Sequence, residues 1–140
     1  MANFTVTGLA ELYEATNKAK KIPEGVTEKM LTRMGKVLKE WMERRLVSNG
    51  ILDTGILLSC IQLAKAKISQ DGGSITVRFA GSRTRGKTTT RNAEIAFINE
   101  FGKKGQAARP FVKEAKEMSE GPAGAAGEAV LDEWLNSIGL

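Results

Sequence analysis

The chain contains no histidine and a single cysteine, Cys60, among its 140 residues. Without histidine it lacks the commonest general base and the commonest transition-metal ligand. One cysteine excludes an internal disulfide and leaves too few thiolates for a structural zinc site. Cys60 lies in an apolar stretch and reads as a small buried side chain. Aromatic residues make up only 6% of the chain and prolines number three. No apolar run approaches the roughly 20 residues that a membrane span requires, so no membrane partner is expected. The opening "MANFTVTGLAELYEA" has neither a basic leader nor a cleavable apolar core, which gives the expectation of a cytosol-like compartment. No cofactor and no metal are expected from this inventory.

What remains is the composition of an ordinary soluble domain, 41% hydrophobic and 26% charged. The length fits one domain spanning residues 1–140. A net charge of +5 permits an acidic partner without requiring one.

"NFTVT" alternates Phe4 and Val6 with small polar residues, the pattern of a short strand. Thr7 is placed to cap a helix from about residue 8, with Leu9, Leu12, Tyr13 and Thr16 on one face. Lys18, Lys20 and Lys21 would close it against the negative end of its dipole. A second helix is expected over Thr27 to Ser48. Met30, Leu31, Met34, Val37, Leu38, Trp41, Met42 and Leu46 recur there at three- and four-residue steps, and Asn49-Gly50 terminates the run. At 1.5 Å per residue this rod would be roughly 33 Å long, enough to cross the domain.

In "ILDTGILLSC", Asp53 or Thr54 is placed to cap a short helical turn, and Gly55 to let the backbone bend. A strand is expected over 61–69, with Ala64, Ala66 and Ile68 inward and Lys65 and Lys67 outward. "QDGG" turns it into "SITVRFA", where Ile75, Val77 and Phe79 alternate with Thr76 and Arg78. Residues 81–91, "GSRTRGKTTTR", hold Arg83, Arg85, Lys87 and Arg91 with no acid and no hydrophobic residue. Such a segment is expected to be a flexible basic loop. Its spacing is not that of a phosphate-binding loop.

"RNAEIAFINEFG" predicts a short helix with Asn92 as N-cap, Glu94 in the first turn and Gly102 as the stop. Ile95, Ile98 and Phe101 share a stripe, and Phe97 and Phe101 form an i, i+4 pair. Glu100 offends the dipole at the helix end, so a compensating cation is expected from Lys103, Lys104 or Arg109. "ARPF" should be extended, with Pro110 at the first position of a further helix carrying Phe111, Val112, Ala115 and Met118. "SEGPAGAAGE" is expected to interrupt that helix, its small residues serving either a loop or close packing. A last amphipathic segment presents Val130, Leu131, Trp134, Leu135 and Ile138. The fold class read from this order is α+β: a small antiparallel sheet, made of the N-terminal strand plus a hairpin, packed on a long helix and shorter C-terminal helices.

Asp53, Glu94 and Glu100 are the carboxylates in distinctive settings, and Ser59 and Cys60 the candidate nucleophiles. None has a histidine to activate it, so the expectation is that the chain is not an enzyme and has no catalytic residues. Direct nucleic-acid binding by the cations of residues 83–91 is the rival expectation. It lacks interleaved aromatics, a helix–turn–helix and a zinc-finger pattern.

Four motifs in order carry a likeness. "FTVTGLAELYEA" resembles the strand–Gly–Leu–x–x–Leu opening of the tailed-phage tail-completion, or head–tail joining, proteins. "ILDTGILLSCI" is similar to their Asp-Thr-Gly-x-Leu segment, and "AEIAFINEFG" followed by "ARPF" to their Glu-aromatic-Gly helix end and Ala-Arg-Pro-Phe arm. The resemblance covers roughly residues 3–120; beyond Glu120 no motif matches, and Phe97 or a neighbour stands where many relatives have tyrosine. It implies a structural virion protein of the neck, in a phage or phage-derived tail-like particle, made in the bacterial cytoplasm. Its partners would be copies of itself in a ring, often of six, tail-tube or sheath proteins, head-connector proteins, and DNA passing through the channel without sequence readout. By position, Glu100, Phe101, Gly102, Arg109, Pro110 and Phe111 match the signature, and Asp53, Thr54 and Gly55 the middle segment, a structural turn. Subunit-interface candidates are thus Glu94, Phe97, Glu100, Phe101, Arg109, Pro110 and Phe111. The channel- or partner-facing loop carries Arg83, Arg85, Lys87 and Arg91. The plainer possibility, that Phe101, Arg109 and Phe111 stitch a helix to its own domain, stands beside this one.

Overall fold

The periodic apolar residues of the middle of the chain form α1, Glu24–Ser48, whose Leu31, Leu38, Met42 and Leu46 are fully buried in a computed structural model of the protein. Each such side chain contributes about 2 kcal/mol when withdrawn from water. The structure describes residues 3–6, 22–51, 54–69 and 72–139. The helix expected from residue 8, Asp53 of the middle segment and Gln70 and Asp71 of the "QDGG" turn lie outside the described residues. Past Ser48 the backbone reverses at Gly50, φ 61°, and the Asn49 side chain donates to the Arg45 carbonyl at 2.8 Å. The expected terminator is in place.

Strand β1 (Asn3–Val6) is followed, after α1 and a short α2 (Thr54–Cys60), by β2 (Ile61–Leu63), β3 (Lys67–Ser69) and β4 (Gly72–Phe79). Gly55 lies within α2 and makes no bend there. The central strand is β4, with β1 on one side and β2 and β3 on the other, all antiparallel. The single strand expected over 61–69 is in fact broken. Leu63 faces Val77 and Lys67 faces Ser74, so Ala64, Lys65 and Ala66 stand opposite only two residues, Ile75 and Thr76. This is a β-bulge, one extra residue that shifts the side-chain phase. It explains how Ile61 and Leu63 can turn inward on one side of the break while Ala66 and Ile68 do so on the other.

Beyond β4, β5 (Ser82–Arg85) and β6 (Thr88–Arg91) pair as a separate two-stranded ribbon, then α3 (Asn92–Phe101) and α4 (Phe111–Ser137) complete the chain. The fold is α+β, with the small antiparallel sheet expected. Helix α1 lies between the sheet and α4. On the sheet side Gly35 has no room for a Cβ, which would meet Leu63 Cδ1 at 2.5 Å and Ile75 Cγ1 at 2.9 Å. On the other side α4 runs antiparallel to α1, tied by Arg45–Glu114 (2.6 Å) at one end and Lys29–Glu133 (3.4 Å) at the other.

The expected interruption of the last helix is absent: α4 continues through "SEGPAGAAGE" with Pro122 inside it. Pro122 has no N–H for the carbonyl one turn earlier, a cost that propensity alone would not meet. Packing meets it. Ala115, Ser119, Ala123 and Gly127 are buried at four-residue steps, and a Cβ on Gly127 would come within 2.8 Å of Met34 Sδ. Of the two options for the small residues, close packing is realised.

Among the described residues no helix is long and apolar enough to cross a membrane.

Candidate interaction surface

The junction between α3 and α4 gathers most of the residues singled out from the sequence. At the end of α3, Gly102 takes φ 79° and its N–H is donated to the Ile98 carbonyl at 2.7 Å. A Cβ here would lie 2.9 Å from both the Ala108 nitrogen and the Gln106 carbonyl oxygen, so backbone packing as well as conformation demands glycine. Lys103 and Gln106 then exchange backbone hydrogen bonds around a tight turn that leaves Lys103 and Lys104 exposed.

Glu100 is the main correction. None of Lys103, Lys104 and Arg109 pairs with it; its carboxylate is buried, 5% exposed, and accepts the backbone N–H groups of Val112 (2.8 Å) and Lys113 (3.0 Å). Those are two of the orphan donors at the N-terminus of α4, the positive end of its dipole. A carboxylate repelled by its own helix is thus held by the next one. Pro110 completes the cap, at φ −76° and ψ 62°, with Phe111 N–H donated to the Arg109 carbonyl at 2.7 Å, an inverse γ-turn. It precedes the helix rather than opening it. Phe111 is 0% exposed and meets Phe79 edge-on at 5.9 Å. Arg109 donates from its backbone to the Asn99 carbonyl and from its guanidinium to the Gly50 carbonyl at 3.0 Å, tying the arm to the end of α1.

Glu100, Pro110 and Phe111 are therefore engaged within the subunit, and only part of the interface set is presented outward. Phe97 and Phe101 are, 48% and 62% exposed, their rings 4.7 Å apart. Glu94 is exposed one turn earlier on the helix. Beside them an open cleft of about 380 Å³ is lined by Ile95, Ile98, Asn99, Lys103, Gly105, Gln106 and Arg109. Its amides are joined to each other and to the helix, Gln106 to Asn99 at 3.4 Å and Asn99 to the Ile95 carbonyl at 2.9 Å. The lining has cations, amides and apolar side chains, and no carboxylate, hydroxyl or thiol.

The basic segment departs from expectation. Composition predicts a mobile loop, but residues 82–91 form a β-hairpin with Ser82 opposite Arg91 and Arg85 opposite Thr88. Gly86, φ 62°, opens the two-residue turn that the strand twist favours. Thr84 and Thr89 share a hydroxyl hydrogen bond of 3.0 Å across the ladder. Asn92 holds the base of the ribbon. It is not the N-cap, a place that Arg91 takes without a side-chain bond; its Nδ2 donates to the Ala80 carbonyl and its Oδ1 accepts from Arg83 Nε. Lys87 and Arg91 are exposed, Arg83 is half-buried, and the Arg85 side chain lies outside the described residues.

Cys60 is buried, its thiol donating to the Leu57 carbonyl. Burial pushes its pKa up, against the opposing pull of the Arg83 charge and of hydrogen bonds at the Cys60 and Ala80 backbone. A thiol so disposed is a poor nucleophile. Among the described residues no group of three or more Cys, Asp or Glu is assembled to hold a metal ion. In α2, Thr54 opens the helix and Gly55 is exposed in its first turn, where a Cβ would meet nothing within 4 Å.

The role of Asn99 was not read from the sequence, Asn92 was read as a cap rather than as the tie of the ribbon, and close packing of the small residues of α4 was only one of two options. Their signals were weak: an amide after a basic run, and alanines and glycines at a four-residue step.

Comparisons with protein-family models, curated proteins and solved structures give no match.

Proposed function

We propose that the chain is a non-enzymatic structural subunit of a phage or phage-derived tail-like particle, acting at the neck. There it completes the tail tube and joins it to the head connector as a member of a ring. The observation that carries this reading is the exposed Phe97–Phe101 pair on a helix whose C-terminal end, the end that bears the pair, is anchored through Glu100 and Gly102. Two adjacent aromatic rings cost free energy in water, and a rigidly held pair is the usual core of a protein interface. Lys103, Lys104 and the neighbouring cleft supply a basic rim to it. The resemblance of four ordered motifs supplies the setting, the virion neck.

Nucleic acid is the second reading, favoured by the basic ribbon of β5 and β6, since a two-stranded ribbon is of a size to enter a major groove.

Size-exclusion chromatography with light scattering, alone and with tail-tube protein, tests the proposal. A discrete oligomer or complex is expected from the wild type and loss of it from Phe97→Ser/Phe101→Ser with the fold intact. A protein that stays monomeric under both conditions and retards duplex DNA at low salt would overturn it in favour of the second reading.

A further inference from the structure

The charges of this chain are separated along the sequence and in space. Residues 72–93 contain five cations and no acid, while residues 117–140 contain five acids and no cation. The first segment is β4 with the β5–β6 hairpin, and the second is the greater part of α4. Along α4, Glu117, Gly121, Gly124, Glu128 and Asp132 follow helical spacing on the side turned away from the buried residues; all but Gly124, which is half-buried, are exposed. The ridge is acidic at both ends and nearly bare of side chains in the middle. Among the described residues, neither Lys87 and Arg91 on the hairpin nor Glu117, Glu128 and Asp132 on the ridge is in an ion pair.

We propose that copies of this chain associate head to tail, the β5–β6 hairpin of one lying along the outer ridge of α4 of the next. The proposal rests on the reading above that the protein is an assembling subunit, and it names the two surfaces that meet. Charge complementarity selects the occupant: a second copy brings opposite charges to both the hairpin and the ridge, whereas nucleic acid would satisfy the hairpin and be repelled by the ridge. Gly121 and Gly124 have open space around them, which lets a slim ribbon approach the helix backbone closely. A contact between two different surfaces is heterologous, and so generates a ring where the rotation closes and a filament where it does not.

Two charge-reversed proteins test this. One carries Lys87→Glu and Arg91→Glu, the other Glu128→Lys and Asp132→Lys; all four sites are exposed, so folding is preserved and circular dichroism checks it. Each variant alone should associate about tenfold or more weakly than wild type, because like charges then face each other. Mixed in equal amounts the two should recover association to within about threefold, in assemblies where they alternate. Wild-type assembly that survives both reversals, or that the mixture fails to restore, overturns the head-to-tail contact while leaving the assembling-subunit reading standing. Wild type that never self-associates overturns both. Duplex DNA binding that Lys87→Glu/Arg91→Glu abolishes without altering self-association also overturns the proposal, and assigns the hairpin to nucleic acid.

Discussion

At the outer end of α3, Phe101 stands 62% exposed beside Phe97; in the first turn of α4, Phe111 is 0% exposed against Phe79. Both belong to one short motif, and both are phenylalanines next to a charged or proline-bearing turn. What separates them is which element each faces. Phe111 follows a γ-turn that drives it beneath the sheet, whereas Phe101 sits on the side of α3 that no described element covers. Glu100, immediately before Phe101 in sequence, makes the difference possible by fixing α3 to the start of α4. The lesson is that a short run of conspicuous residues can be mostly a fastener, with the exposed residue carried on it.

The largest effect should come from the buried ring. Phe111→Ala is expected to cost about 4 kcal/mol in a urea or thermal unfolding series, since it empties a fully packed site. Phe101→Ala, at the same residue type, should change stability by less than about 0.5 kcal/mol. Equal losses at the two positions would abolish the contrast.

Next in size is Glu100→Ala, expected to cost about 2 kcal/mol because it strips two N–H groups at a helix N-terminus, that of Val112 buried and that of Lys113 partly so, of their acceptor. Hydrogen exchange should place the added opening at Val112 and Lys113. A loss confined to α3 would argue against the cross-helix cap. Gly102→Ala comes third, at more than about 1 kcal/mol, from a positive φ and the contact with the 106–108 backbone. If that variant unfolds at the wild-type midpoint, the turn is looser than described.

The smallest effect is on pH dependence. The Cys60 pKa is raised by burial in the folded chain, so the neutral thiol stabilises the fold fully below its ordinary value of 9.0, and this contribution is lost as pH rises through the higher folded value. Wild type should therefore lose stability relative to Cys60→Ala on going from about pH 8 to about pH 10. A difference that does not change with pH would mean the thiol is as well solvated folded as unfolded.

The core was legible because burial repeats at fixed periods. The α1 stripe, its Asn-Gly stop and the inward set Ile75, Val77 and Phe79 follow from spacing alone. The surface pair Phe97 and Phe101 was also visible as an i, i+4 couple. Glu100 was recognised as locally unfavourable, but its partner was misassigned to cations. The rule names the need for compensation and not the group that supplies it; backbone N–H groups leave no trace in the side-chain sequence. The 81–91 segment was expected to be loose because it has nothing to bury, yet a ladder of main-chain bonds and one buried asparagine order it.

By themselves, the residue types determined an α+β chain without histidine chemistry, its long amphipathic helix, its β4 strand and its separation of positive from negative segments. These follow from local periodicity and from charge, which need no knowledge of neighbours. Tertiary structure alone decided that α4 runs unbroken through Pro122, that the strand after Cys60 bulges, and that Glu100 caps a helix not its own. Each of those depends on which surfaces meet across long stretches of chain, where contact energies outweigh local propensity.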